Sequence, residues 1–114
     1  MNINTINNQE LKFGDGKYIG QVVNGMAEGK GIWYGDNGNR YEGDWRNDKK
    51  EGKGIFYFNN GSRYEGDFKN DNMEGKGIFY FNNGDRRMGD WKNDKKIGKH
   101  VMLTKNGEVK IENY

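Results

Sequence analysis

A 23-residue pattern recurs along the chain with no insertion, and it constrains the fold more than any other feature. Tyr18, Tyr41 and Tyr64 are one period apart. So are Gly20, Gly43, Gly66 and Gly89, and again Gly29, Gly52, Gly75 and Gly98. Ile32, Ile55, Ile78 and Val101 follow the same spacing. The repeats run 18–40, 41–63, 64–86 and 87–109, the last degenerate, between an N-terminal cap segment 1–17 and the end of a capping strand at 110–114. Units of this length bury their apolar residues against their neighbours, so the chain builds an array with a thin core.

Each unit reads as two strands. In the second they are Tyr41 to Arg46 and the aromatic- and Ile-rich Gly52 to Phe58. Turn residues separate them, Asn47 to Glu51 on one side and Asn59-Asn60-Gly61-Ser62 on the other. No apolar stripe of helical period is long enough for a helix. The expected fold is all-β: a single-layer, elongated, twisted antiparallel meander of 23-residue hairpin repeats.

Alternation puts Tyr41, Gly43 and Trp45 on one face with Gly52, Gly54, Phe56 and Phe58. A three-residue Asn60-Gly61-Ser62 loop between repeats then sets Trp45 opposite Gly54 and Phe56 opposite Gly43, with Phe56 meeting Gly66 and Gly54 meeting Phe68 across the boundary. Rings would alternate with glycines in a checkerboard, each ring lying over bare backbone. In that register the other face has Tyr57 between Glu42 and Glu65, Ile55 between Asp44 and Asp67, and Lys53 near Arg46 and Lys69. Val109 and Ile111 alternate with charged residues as a half-buried strand that closes the sheet edge, and residues 1–12 do likewise at the other end.

Composition removes whole classes of function. The chain has no cysteine and one histidine, so it has no disulfide, no thiol nucleophile and no multi-histidine metal site. Leu, Ile, Val and Phe make up only 20 of 114 residues, but 14% aromatic content and a net charge of +2 argue for a folded chain. No apolar run spans a bilayer and no signal-peptide core is present, so the expectation is a soluble, cytoplasmic protein. The Gly-Lys-Gly elements lack the further glycine of a kinase loop, because Tyr34, Tyr57 and Tyr80 stand there, and no Gly-Lys-Ser/Thr occurs. Asn70 to Gly75 lacks the acid a calcium loop needs at Phe81. Asn60-Gly61-Ser62 reads as a loop and His100 as a surface or end-cap residue. No catalytic residue, metal or cofactor is expected.

The unit Tyr41-Glu-Gly-Asp-Trp, Gly52-Lys-Gly-Ile-Phe-Tyr-Phe and Gly61 resembles the MORN (membrane occupation and recognition nexus) repeat, over roughly residues 18 to 109. The resemblance implies an elongated antiparallel sheet and a non-enzymatic binding or scaffolding module, of the kind found in cytoskeletal, ciliary and membrane-contact proteins.

Three readings of function stay open. The first is a groove for a peptide or helix of a protein partner, lined by Tyr41, Trp45, Phe56, Phe58, Tyr64, Phe68, Phe79 and Phe81, since large apolar patches mark interaction sites. The second is peripheral binding to anionic phospholipid through a basic edge of Lys49, Lys50, Lys92, Lys95, Lys96 and Lys99. The third is a structural brick, as a homo-oligomer or a subunit of a larger assembly, paired through the sheet ends and the Ile55/Tyr57/Ile78/Tyr80 stripe. Nucleic acid is not an expected partner, because acids alternate with the bases at a pI of about 8.7.

Overall fold

A computed structural model describes residues 8–114. Ten strands form one open antiparallel sheet in chain order: β1 (Asn8–Phe13), β2 (Gly16–Val23), β3 (Met26–Gly35), β4 (Arg40–Arg46), β5 (Lys49–Tyr57), β6 (Arg63–Lys69), β7 (Asn72–Tyr80), β8 (Arg86–Lys92), β9 (Lys95–Leu103) and β10 (Val109–Asn113). The described residues contain no helix. The molecule measures 54 × 25 × 22 Å. Nine strand spacings of about 4.8 Å give about 43 Å, so the long axis runs across the strands. At the N-terminal end, β1 supplies the expected closing strand from Asn8 onward; the remainder of that expectation, 1–7, lies outside the described residues.

Two turn types alternate. Within a repeat the strands are joined by two residues, Asn24-Gly25, Asn47-Asp48, Asn70-Asp71 or Asn93-Asp94, all at positive φ. This is the type I′ hairpin, whose twist matches that of the strands. The aspartate has a further role: Asp48, Asp71 and Asp94 accept backbone N–H bonds from Ala27, Lys50 and Met73 at 2.7–2.8 Å. Each turn is thereby tied to the hairpin before it. Between repeats the loop has three residues, Asn59 to Gly61, closed by Phe58 N–H donating to Ser62 C=O at 2.9 Å, with Gly61 at φ +94°.

These turns correct the expected register. The loop lies one residue earlier than Asn60–Ser62, and the in-repeat turn spans two residues where five were expected. Gly43 therefore faces Gly54, which faces Gly66, and Tyr41 faces Phe56, which faces Tyr64. Trp45 pairs with Lys50 beyond a bulge, and Phe68 with Gly52. There is no checkerboard: glycines form one row across the sheet and rings form others. Ile55 lies between Glu42 and Glu65, Tyr57 between Arg40 and Arg63, and Lys53 beside Asp67. The error is two residues along most of each strand pair and four at Trp45 beyond the bulge, both even numbers, so every side chain keeps its expected face.

The core sits on the glycine row. The Tyr41 ring leans along β4 over Gly43 and Gly54, and its hydroxyl donates to Asp44 C=O at 2.9 Å. Tyr18 and Tyr64 repeat this over Gly20/Gly31 and Gly66/Gly77, donating to Gln21 and Asp67 carbonyls. All three tyrosines have no exposed surface. Between them stand Trp45, Phe68 and Trp91, edge-on to the phenols with centroids 5.0–5.3 Å apart. Such pairs contribute beyond the area they bury, about 0.5–1.5 kcal/mol each. One continuous ring ladder thus does the work of a second layer.

The fourth repeat makes the same core by an exchange. Arg87 replaces the tyrosine and His100 replaces the glycine opposite. The His100 ring fills the space over Gly89, fully buried, and its Nε2 donates to Asp90 C=O at 2.8 Å. It stands edge-on to Trp91 at 4.7 Å and to Tyr114 at 5.2 Å. His100 is therefore a core residue and not a surface one. Tyr114 is one period beyond Trp91 and extends the ladder, held by reciprocal backbone bonds with Gly98. Val109 and Ile111 are 64% and 57% exposed, so the closing strand presents its apolar pair to solvent on the face opposite the rings.

Two outcomes follow for stability. A Cβ at Gly54 would lie 2.2 Å from the Tyr41 hydroxyl, so Gly54→Val evicts the phenol and destabilises by more than about 2 kcal/mol, roughly 10 °C in Tm. Lys53→Val, on the other face with its side chain 81% exposed, changes stability by less than about 1 kcal/mol. Equal melting temperatures for the two variants would refute the phenol-on-glycine packing. In the fourth repeat, Arg87→Tyr and His100→Gly each destabilise singly, and the double variant recovers about 0.5–3 kcal/mol relative to their sum, read from a denaturation double-mutant cycle. Strict additivity would refute the exchange.

Candidate functional site: an aromatic shelf and groove

The eight expected groove residues divide by their distance from the glycine row. Tyr41 and Tyr64 are fully buried and Trp45 and Phe68 are 5% exposed, so these four form the floor and offer a partner almost no surface. Phe56, Phe58, Phe79 and Phe81 are half-buried. Their rings run side by side, with centroids 4.8 Å apart from Phe56 to Phe58, 5.5 Å to Phe79 and 4.8 Å to Phe81. Trp33 continues the shelf 6.2 Å from Phe56. Sequence reasoning omitted Trp33, although it stands one period before Phe56.

Between shelf and floor lie two neighbouring hollows that share Met73 and Asp94. One, about 280 Å³, is bounded by Lys50, Phe56, Phe58, Phe68 and Met73. The other, about 410 Å³, is bounded by Met73, Phe79, Phe81, Trp91, Arg87, Lys96 and Tyr114. Met73, Arg87 and Tyr114 also went unnoticed as site residues. The period carries the signal for two of them, since Tyr114 aligns with Trp91 and Met73 with Lys50. Lys50 spreads over the floor, with its ammonium 5.6 Å from both the Tyr41 and Phe56 centroids and 3.6 Å from Asp71.

The six lysines of the expected basic edge do not form one surface. Lys50 and Lys96 point to the aromatic face, whereas Lys49, Lys92, Lys95 and Lys99 alternate to the other. Lys92 lies 3.8 Å from Glu74. The lysines between them are paired as well: Lys30 bonds Asp44, Lys53 bonds Asp67 at 2.7 Å and Lys76 approaches Asp90 at 3.9 Å. Burial works against the Asp44 charge, but the hydrogen bonds from Lys30 and the Lys53 backbone hold its carboxyl below the usual range. The Ile55/Tyr57/Ile78/Tyr80 stripe shares this face and is divided by ions. Ile55 lies between two glutamates, and the guanidinia of Arg40 and Arg63 stack on Tyr57 and Tyr80 at 4.1 and 3.8 Å.

Three consecutive segments, 18–40, 41–63 and 64–86, match the family model of the MORN repeat. The chain belongs to the MORN repeat family. No curated protein matches it significantly. MORN repeats are in general non-enzymatic modules that engage proteins or membranes. In this MORN protein the two-strand unit continues through β8 and β9, and β10 adds one further strand. Among the described residues no cluster of His, Cys, Asp or Glu could hold a metal ion, and no helix is long and apolar enough to cross a membrane.

The floor tyrosines make the site alkali-sensitive. Burial, then the charges of Asp48 and Glu28, push the Tyr18 phenol from 10.0 up to about 12. Burial, followed by Asp44 and Asp67 respectively, pushes Tyr41 and Tyr64 up as well. A raised folded value means that the unfolded chain loses its phenolic protons first. The stabilisation is therefore complete below about pH 10 and is lost as pH rises toward 12. Tm should be flat from pH 8 to about 10 and fall steeply above it, with full tyrosinate absorbance appearing only on unfolding. A folded protein in which every tyrosine has ionised would contradict this burial.

Proposed function

We propose that this MORN protein is a non-enzymatic interaction module that presents its aromatic groove to a peptide or helix of a protein partner. The observation that carries this reading is the half-buried shelf from Phe56 to Phe81 above two apolar hollows. Four rings at van der Waals spacing on rigid strands offer the large, pre-ordered contact area that dominates binding energy at interfaces. The contact residues are Phe56, Phe58, Phe79 and Phe81. Tyr41, Trp45, Tyr64 and Phe68 serve by holding the floor.

Peripheral binding to anionic phospholipid draws less support. The lysines are divided between two faces and several are neutralised by aspartate or glutamate, which weakens the summed field a membrane would read. A homo-oligomer draws its support from the exposed Val109 and Ile111 on the edge strand β10.

Peptides selected from a random display library on the wild-type protein provide the test. Phe79→Ala and Phe81→Ala, each first shown to be folded by its melting curve, should weaken the selected peptides by about tenfold or more. Tyr57→Ala on the opposite face should leave them unchanged. Unaltered affinity in both folded phenylalanine variants would overturn the proposal.

A further inference from the structure

We infer that the C-terminal end of the groove, beside Phe81 and Tyr114, is an anion-reading subsite, and that the partner segment carries acidic residues flanking its apolar anchors on that side. The inference rests on the groove reading above and adds the chemistry and direction of what the groove holds.

One departure from the period, Arg87 in the tyrosine column, creates the subsite together with Lys96, which stands two periods after Lys50. Where the third repeat has Tyr64 and Met73 on the aromatic face, the fourth has Arg87 and Lys96. Both line the larger hollow, whose wall also includes Asp94 and, at its rim, the Lys95 strand position, from which the side chain turns to the opposite face. One oxygen of the Asp94 carboxylate accepts the Met73 N–H at 2.7 Å, and among the described residues Asp94 makes no ion pair with Arg87 or Lys96, which meet Glu112 and Tyr114. The smaller hollow differs: its one cation, Lys50, lies between Asp71 and the floor rings. With Asp71 and Asp94 both lining the smaller hollow, the excess of positive charge lies at the larger one.

The two cations are also held in place. Arg87 is 7% exposed, and its guanidinium donates to the Tyr114 hydroxyl at 2.9 Å and meets Glu112 at 2.7 Å. Its Nε is buried with no partner among the described residues. The Lys96 ammonium sits 3.2 Å from the same hydroxyl and 4.3 Å from the Tyr114 ring centroid. That hydroxyl donates in turn to Glu112 at 2.8 Å, and its hydrogen bond, that of Arg87 and the Arg87 and Lys96 charges hold the Glu112 carboxyl below the usual range. Glu112 answers one of the two positive charges, since it bonds both Arg87 and the Tyr114 hydroxyl, and one charge is left in excess. Held against a ring beside apolar surface, that excess favours an incoming carboxylate, because its attraction is little screened and its side chain is already ordered. A basic segment laid on the shelf would meet like charge at the same place.

Three synthetic peptides with one shared apolar core, flanked on one side by Glu, Gln or Lys, test this on the 114-residue protein by fluorescence polarisation at low and high salt. The acidic peptide should bind about tenfold more tightly than the neutral one, the basic peptide should be weakest, and added salt should narrow the spread. Lys96→Glu, first shown to be folded by its melting curve, should reverse the order of the acidic and basic peptides, read as the ratio of their affinities within each protein so that any loss common to all three peptides cancels. Equal affinity of acidic and neutral peptides, both losing affinity with Phe81→Ala, would overturn the anion subsite and leave the groove standing. If none of the three binds and the Phe79 and Phe81 backbone signals do not shift, the groove reading falls and the inference falls with it. Salt-sensitive flotation with phosphatidylserine vesicles that Lys96→Glu abolishes, in a protein that ignores the acidic peptide, would assign the cations to a membrane and also overturn it.

Discussion

A tyrosine ring lying on two glycines is the contact on which this sheet depends. A single layer has no opposing sheet or helix to bury its apolar side chains. Here the layer supplies its own cover, because the Tyr41 phenol occupies the space that Cβ atoms at Gly43 and Gly54 would take. The hydroxyl reaches the Asp44 carbonyl opposite the bulge in β5, so the buried oxygen is satisfied and the ring is pinned at both ends. Trp45 and Phe68 then stand against its edges, and the next phenol continues the ladder. Glycine is normally a weak strand former. In this protein it is the condition for having a core at all. The exchange of Arg87 and His100 supports that reading, since the ring over Gly89 is supplied from the opposite strand when the tyrosine is missing.

The two faces divide the labour as a consequence. On the charged face, Lys53 meets Asp67, and Arg63 bonds Glu65 while stacking on Tyr80, so ions and rings neutralise one another along the sheet. On the other face the floor is buried but the shelf is not. The phenylalanines at 56, 58, 79 and 81 lie one or two residue pairs beyond the reach of the glycine row, where no bare backbone is available to receive them. They remain half-buried because the architecture has nothing left to cover them with. The proposed binding surface is in this sense the part of the core that a single layer cannot finish, and Arg87 and Lys96 give one end of it a charge.

The repeat made most of the fold legible. The period fixed the number of hairpins, alternation fixed which residues share a face, and the glycine columns announced that rings lie over backbone. Register was less legible. The run Asn47-Asp48-Lys49-Lys50-Glu51 is polar throughout, so it reads as a long turn. In the folded protein only Asn47 and Asp48 turn, because both accept positive φ and Asp48 bonds the neighbouring hairpin at Ala27. That stabilisation comes from a residue 21 positions away and is invisible to local reasoning. The neighbours of Lys53 were hidden for the same reason: a register two residues out sets it beside Arg46 and Lys69, where the true one sets it beside Asp67.

What the sequence determined by itself was therefore the array, its faces and its glycine–ring chemistry, since these depend on a 23-residue period and on alternation along each strand. What only the tertiary structure decided was which rings are floor and which are shelf. Tyr41 and Phe56 pair across β4 and β5 with the same chemistry and the same face, yet one is sealed and the other is half open. The difference lies in the direction each ring leans. Tyr41 leans toward the glycine row and a free carbonyl, and Phe56, with no hydroxyl to anchor there, leans toward Phe58 and the solvent.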